Sequence, residues 1–363
     1  MVSPAGPLAW DSLPREPVRR WLLFSLPFFV IFATLLSSQL PVPYYAIEPG
    51  TARQINDLIK APRDKSYPPK GEVLLTTVSL GPVTAFQAVA GWLDPDVDVV
   101  PEERILGTGD RTQYRQAALQ QIDTSKEEAV VLALRRLGHA IDEHGEGALV
   151  ESVENNSAAS DRLSPGDTIV AVDGTPTVLN QQARAAIAAH RPGDLITLEV
   201  VPADNSAKRT VTANLGARPE TGGAFLGVSL RTRNRKFNLP FPVSIESLGI
   251  GGPSAGLAFC LAALDTLSPG ELTGGRKVAV TGTISLDGTV GDVGGVAQKT
   301  AAVRRAGADL FLVPPGEFEI ASARAGKHLE VVKVGTLEEA IQALGRHGGN
   351  INALGPGPAA ALG

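Results

Sequence analysis

The sequence predicts a multidomain α+β chain: an N-terminal membrane-spanning helix, a β-rich block with helices, and a C-terminal α/β block. Three observations predict this. "WLLFSLPFFVIFATLLSSQL", Trp21 to Leu40, carries no charge. Between Gly147 and Leu215, short β-branched runs are separated by turn signals such as Ser164-Pro-Gly166, Asp173-Gly174 and Pro192-Gly193. Beyond Gly222, helical periods alternate with short apolar strands.

The composition fits such a chain. It has 363 residues, 43% hydrophobic and 20% charged, enough for about two or three domains. Its 39 glycines and 27 prolines against 5% aromatics imply many turns. A net charge of −5 without a strongly basic region argues against nucleic acid as a partner. The lone Cys260 excludes an intrachain disulfide and a cysteine zinc site. The five histidines, at 139, 144, 190, 328 and 347, form no HExxH, so a zinc hydrolase is not expected. No metal or cofactor is expected.

The first element is the run 21–40. At 1.5 Å per residue it spans the roughly 30 Å hydrocarbon core. Arg15, Arg19 and Arg20 precede it, and no basic residue follows until Arg53. The positive-inside rule places residues 1–20 in the cytoplasm and the chain after 40 outside, anchored in the cell membrane by one pass. A cleaved signal peptide and a buried soluble helix are the alternatives. The run exceeds a usual signal core, and "SSQLPVPYYA" offers no A-x-A site.

Residues 41–125 read as an extracytoplasmic segment, with a proline-punctuated start and a strand over Gly71–Leu80. Ser125-Lys-Glu-Glu128 is a capping box. It is expected to open a helix with Val130, Ala133, Leu134 and Leu137 on one face, stopped by Gly138. "GALVESV", "DTIVAVDG", "DLITLEVV" and "KRTVTANL" are strands, and "NQQARAAIAAH" is a helix. The run over residues 126–216 resembles a bacterial-type PDZ domain. The resemblance implies capture of an extended peptide by strand addition beside a helix. Arg136-Leu137-Gly138-His139 is the nearest match to the carboxylate loop. Gly138 already reads as a helix stop, so no peptide-binding residue is assigned.

In the last block, "IGGPSAGLAF" sets Ser254 in a G-x-S-x-G pattern before a helix apolar all round. Serine there is a favoured N-cap. The same place suits a nucleophile, because unpaired N–H groups at a helix start can hold an oxyanion. An α/β-hydrolase triad lacks its HGGG strand, His328 sits in the polar "RAGKHLE", and His347 falls in the expected tail. On "GGVAQKTAAVRR", Val296, Lys299, Thr300 and Val303 share one face, away from Arg304 and Arg305. Lys299 is either a snorkelling lysine or a desolvated amine able to act as a base.

"IGGPSAGLAF" together with "VTGTISLDGTVGDVGGVAQKTAAVRRAGADLFLVP" resembles the proteolytic domain of Lon-type proteases over residues 221–345. Residue by residue, the resemblance makes Ser254 the nucleophile, Lys299 the general base and Thr281 the threonine that hydrogen-bonds the lysine. Gly251-Gly252-Pro-Ser254 stands where ATP-driven Lon has Asp-Gly-Pro-Ser, and Thr283 stands where those enzymes often have Glu. The Gly-Gly-Pro-Ser form is typical of a membrane-anchored bacterial branch with a PDZ domain. No G-x-x-x-x-G-K-[ST] occurs in the sequence. The resemblance implies an extracytoplasmic, ATP-independent serine endopeptidase acting on proteins or peptides. It also implies a homo-oligomer, since Lon-type domains commonly form hexameric rings. The alternative is a catalytically inactive, membrane-anchored peptide-binding scaffold. Thr336 and Glu339 form a second capping box, and residues 346–363 read as a disordered tail.

Overall fold

A computed structural model describes residues 16–355 apart from 108, 220, 247 and 248, with side chains from residue 27 onward. The chain forms two compact units: residues 1–138 with 243–363, and residues 139–242.

The first unit is built on a six-stranded mixed sheet. Its strands are β1 (Pro41–Gln54), β2 (Glu72–Thr84), β3 (Asp98–Pro101) and, from the C-terminal third, Lys277–Val280, Leu310–Val313 and Glu330–Lys333. The second unit supplies β4 (Ala148–Val153), β5 (Thr168–Val172), β6 (Leu195–Val201), β7 (Arg209–Asn214) and β8 (Val228–Thr232). The three late strands are therefore β9, β10 and β11. The sheet order in the first unit is β11-β10-β9-β2-β1-β3. β2, β9, β10 and β11 run parallel, whereas β1 pairs antiparallel with β2 and β3. All four residues of β10 are buried, as expected of a strand covered on both faces. Residues 41–125 and 277–333 thus share one sheet. The second unit is an insertion in the sequence of the first.

Several sequence expectations change here. α1 covers Glu16–Ser37 rather than 21–40. It ends where Ser37 and Ser38 hydroxyls bond back to the Thr34 and Leu35 carbonyls, and Pro41 then opens β1. No helix among the described residues is long and apolar enough to cross a membrane, so the expected span is not carried by the described structure. Residues 1–15 of the expected cytoplasmic terminus lie outside it. α2 (Ala85–Leu93) and α3 (Glu102–Leu106) lie in the segment 41–125, beyond its expected strand.

α4 runs from Arg111 to Arg136, not from Ser125. The Asp110 carboxylate accepts from the Thr112 and Gln113 amides, and Gln113 closes the box back onto Asp110. The polar "RTQYRQAALQQ" has no apolar period to advertise a helix, yet nearly all its residues are good helix formers. Ser125 lies mid-helix and buried. The expected disordered tail is also partly ordered: Leu354 is buried, and its carbonyl accepts from Arg136 Nη1 at 3.0 Å. Residues 356–363 lie outside the description.

In the second unit the order is β7-β6-β5-β4-β8, with α5 (Asn180–Ala188) over it. Its core includes Val150, Ile169, Ile196, Leu198 and Leu230. Residues 221–242, expected with the C-terminal block, belong to this unit, because β8 pairs with β4. The remaining helices, α6 (Gly256–Leu267), α7 (Val296–Ala306), α8 (Phe318–Ala325) and α9 (Leu337–Arg346), belong to the first unit. Thr336 caps α9 as the sequence predicts, accepting from the Glu339 amide.

Candidate active site

Ser254 lies two residues before α6, on the loop from Gly251 to Ala255. The helix is capped by Ala255 without a side-chain bond, so Ser254 is not its N-cap. α6 is buried at every position, which fixes the end of the loop. Gly256 sits where a Cβ would lie 2.8 Å from the Ile284 amide nitrogen and from Ser125 Oγ; only glycine fits. α4 clamps the other end. The Gly252 amide donates to the Ala118 carbonyl at 2.8 Å, and Ser125 Oγ donates to the Pro253 carbonyl at 3.3 Å.

The Ser254 carbonyl is held from the opposite side. It accepts from the Gly282 amide at 3.1 Å and from Thr281 Oγ1 at 3.4 Å. Having donated its one proton there, Thr281 turns a lone pair to Lys299 Nζ, which donates to it at 3.0 Å. Thr281 is wholly buried and Lys299 only 2% exposed. The three residues singled out by sequence therefore meet at one point, joined by Thr281. No hydrogen bond links Lys299 directly to Ser254 Oγ among the described residues. Such contacts commonly tighten only when substrate is bound.

Lys299 is carried on α7, behind Gly295, which caps that helix at φ 68°. Burial strips water from its ammonium and lowers its pKa to about 8, while the charge of Glu317 pulls it back up. At pH 7 about one lysine in ten is then neutral, against fewer than about one in a thousand for a free side chain. Ser254 and Lys299 line one cleft of about 500 Å³. Its walls are largely apolar, with Ile47, Leu75, Val78 and Leu80 from the sheet, Ile105 from α3, and Tyr114 and Ile122 from α4, beside the polar Thr76 and Thr77. Sequence reading missed α3 and α4 as cleft walls, because nothing local in "RTQYRQAALQQI" points to a site. The Asp110 box was the available signal for the helix alone. Glu317 was also missed.

Glu317 yields a testable expectation. A lysine base works in its neutral form, so the rate should rise with pH through about 8. Glu317→Gln removes the negative charge that favours the ammonium and should shift that limb to lower pH. A limb unmoved in the pH profile of kcat/KM would mean that Glu317 does not act on Lys299.

In the second unit, an open groove of about 400 Å³ lies between α5 and the edge strand β8. Phe225-Leu226-Gly227-Val228 leads into that strand, with Gly227 at φ 81°. Arg136-Leu137-Gly138-His139 instead ends α4, with Gly138 at φ 85°. The Leu230 carbonyl on β8 already accepts from Arg184 Nη2 at 2.8 Å and Asn180 Nδ2 at 3.1 Å.

Comparison with known proteins matches part of each unit. Residues 245–344 match the family model of the Lon protease (S16) C-terminal proteolytic domain, and residues 135–215 match the PDZ domain model. Lon protease of Escherichia coli is 34% identical over 134 residues, covering 34% of this chain and 17% of that protein. Lon protease 1 of Hydrogenovibrio crunogenus is 32% identical over 135 residues, covering 34% and 16%. A solved PDZ domain of an SdrC-like protein from Listeria monocytogenes is 25% identical and covers 23% of this chain and 87% of that one, with a TM-score of 0.22. The chain spans less than a fifth of the length of these two Lon relatives. The chain thus carries a segment similar to a PDZ domain, residues 135–215, followed by one similar to the Lon-type serine protease proteolytic domain, residues 245–344.

Proposed function

We propose that this chain is an ATP-independent endopeptidase held at the outer face of a membrane, with Ser254 as nucleophile and Lys299 as general base. The observation that carries the reading is a buried lysine, its pKa lowered toward neutrality, in the same cleft as Ser254. Burying an amine is costly and is retained where its chemistry is used. That favours an enzyme over the inactive scaffold.

The neutral Lys299 amine takes the Ser254 proton as Oγ bonds to the peptide carbonyl carbon. The ammonium then protonates the leaving amine as the C–N bond breaks, giving an acyl-enzyme. Water, deprotonated by the same amine, hydrolyses the ester. The amides of Gly252, Gly256 and Leu257 already donate to Ala118, Pro253 and Gly282. Those of Ser254 and Ala255 have no acceptor among the described residues, which makes them the oxyanion donors of this reading. The apolar cleft walls suit extended protein or peptide segments with bulky apolar side chains.

ATP independence enters this reading by resemblance alone. The outward location is supported by the basic residues before the uncharged run 21–40. A ring of identical copies belongs to the same reading by resemblance alone. In the PDZ unit, Phe225-Leu226-Gly227-Val228 would hold a peptide terminus, and β8 would pair with the peptide once Arg184 and Asn180 release the Leu230 carbonyl.

A fluorophosphonate probe tests the catalytic assignment. The expected result is one adduct on Ser254, found by mass spectrometry and absent from Ser254→Ala. No adduct on active-site serine would leave the scaffold reading in place. Substrate capture is tested by replacing residues 139–242 with a short linker. A cut at 126–216 would instead sever α4 and its buried Ala129–Leu134 core. The replacement should raise KM for a protein substrate and leave a short peptide nearly unchanged. Equal loss on both substrates would make the unit structural support only.

A further inference from the structure

α2 presents its apolar side chains outward. Its sequence "AFQAVAGWL" contains no charged residue. The inward positions are the small Ala88 and Gly91, and a Cβ on Gly91 would come within 2.7 Å of Val99 Cγ2. The helix therefore lies tight on the β3 end of the sheet and turns everything large away from it. Phe86, Val89 and Leu93, at i, i+3 and i+7, share one exposed face, with Leu93 81% exposed. Trp92, 61% exposed, flanks that face and meets the Tyr44 ring edge-on at 6.0 Å.

α2 also begins where α1 ends. The Ala85 amide donates to the Leu40 carbonyl at 2.9 Å, and Pro41 pairs with Thr84. α1 exposes Phe28, Phe29, Val30, Ile31 and Phe32 in succession. Five consecutive residues go once round a helix, so a protein partner on one side leaves most of them in water. A lipid phase covers all of them together.

We propose that α2 is an interfacial helix whose Phe86–Leu93 face lies in the headgroup boundary of the bilayer that α1 enters. An uncharged helix with one apolar face and a tryptophan at its flank has the chemistry of that boundary. The inference rests on the membrane reading of α1, because α1 brings the bilayer to α2. The contact continues through α2 into β1 and β3, so it sets how the catalytic unit stands on the membrane.

The test places a nitroxide on single cysteines introduced at Phe86, Val89 or Leu93 of the full chain in phosphatidylcholine vesicles. Native Cys260 is buried and escapes labelling. Power saturation then compares relaxation by oxygen, which partitions into lipid, with relaxation by a water-soluble nickel chelate. Phe29→Cys reports on α1, and Glu319→Cys is the aqueous control. The expected result is oxygen-dominated relaxation at 86, 89 and 93 and nickel-dominated relaxation at 319. Nickel-dominated relaxation on α2 with oxygen-dominated relaxation at 29 overturns this inference and leaves the anchor standing. Nickel-dominated relaxation at 29 and on α2 overturns both. Protection of α2 from both reagents means that a second copy covers the face, and the lipid assignment falls.

Discussion

Lys299→Arg is expected to lower kcat for peptide-bond hydrolysis by about 10²- to 10⁴-fold, the range expected when a general base is lost. Arginine keeps the positive charge but stays protonated at every working pH, so it cannot take the Ser254 proton. Because Lys299 is 2% exposed, the larger guanidinium also risks distorting α7. Lys299→Met separates the two effects: it has nearly the same shape, carries no charge and needs no solvation. It should be as inactive as Lys299→Arg while melting no lower than the wild type, since an apolar side chain replaces a desolvated amine. Ser254→Ala should match both. The double variant should be no worse than either single one, because the two groups act as a unit. Turnover within tenfold of wild type in Lys299→Met would remove Lys299 from the mechanism.

Thr281→Val should cost about 10²-fold in kcat with little change in KM. Valine keeps the volume and loses the hydroxyl. Two bonds go with it: the acceptor for Lys299 Nζ and the donor to the Ser254 carbonyl. The amine then loses its aim, and the Ser254 loop keeps only the Gly282 amide on that side. Thr281 is wholly buried and is not part of the cleft wall, which is why substrate binding should survive. Losing the acceptor also leaves the ammonium less satisfied, so the pH limb should move down. Thr281→Ser should restore most of kcat. An effect confined to KM, or no rescue by serine, would mean that Thr281 serves packing rather than alignment.

The reach of the sequence can be judged residue by residue. Ser254 and Lys299 were legible as candidates because each carries a local signal, a glycine-flanked serine before an apolar helix and a cation on an apolar stripe, whereas Thr281 came from the Lon resemblance alone. β10 and α7 were legible for the same reason, since apolar runs and periods report burial directly. α4 was not. Its first half is polar and its start depends on one Asp110 box, while the more conspicuous Ser125 box lies inside the helix. In the fold, Ser125 spends its hydroxyl on Pro253 instead of on capping. Similarly, "FLGV" before β8 read as the start of the C-terminal block, because nothing local shows that a strand pairs backward with β4 across 75 residues or more.

By itself the sequence pointed to the candidate residues of the site and to the classes of its two domains, since motifs and periodicity are properties of neighbouring residues. Only the tertiary structure decided where the catalytic unit ends and what builds it. Half of its central sheet comes from before the PDZ insertion, through β1, β2 and β3. The cleft opposite Ser254 is walled by α3 and α4. Pairing between strands some 200 residues apart, such as β2 with β9, is set by the burial of both faces at once. That energy belongs to the assembled sheet and to no segment of it. The pKa of Lys299 has the same origin: a lysine on an apolar stripe becomes a base only when the neighbouring elements close over it and exclude water.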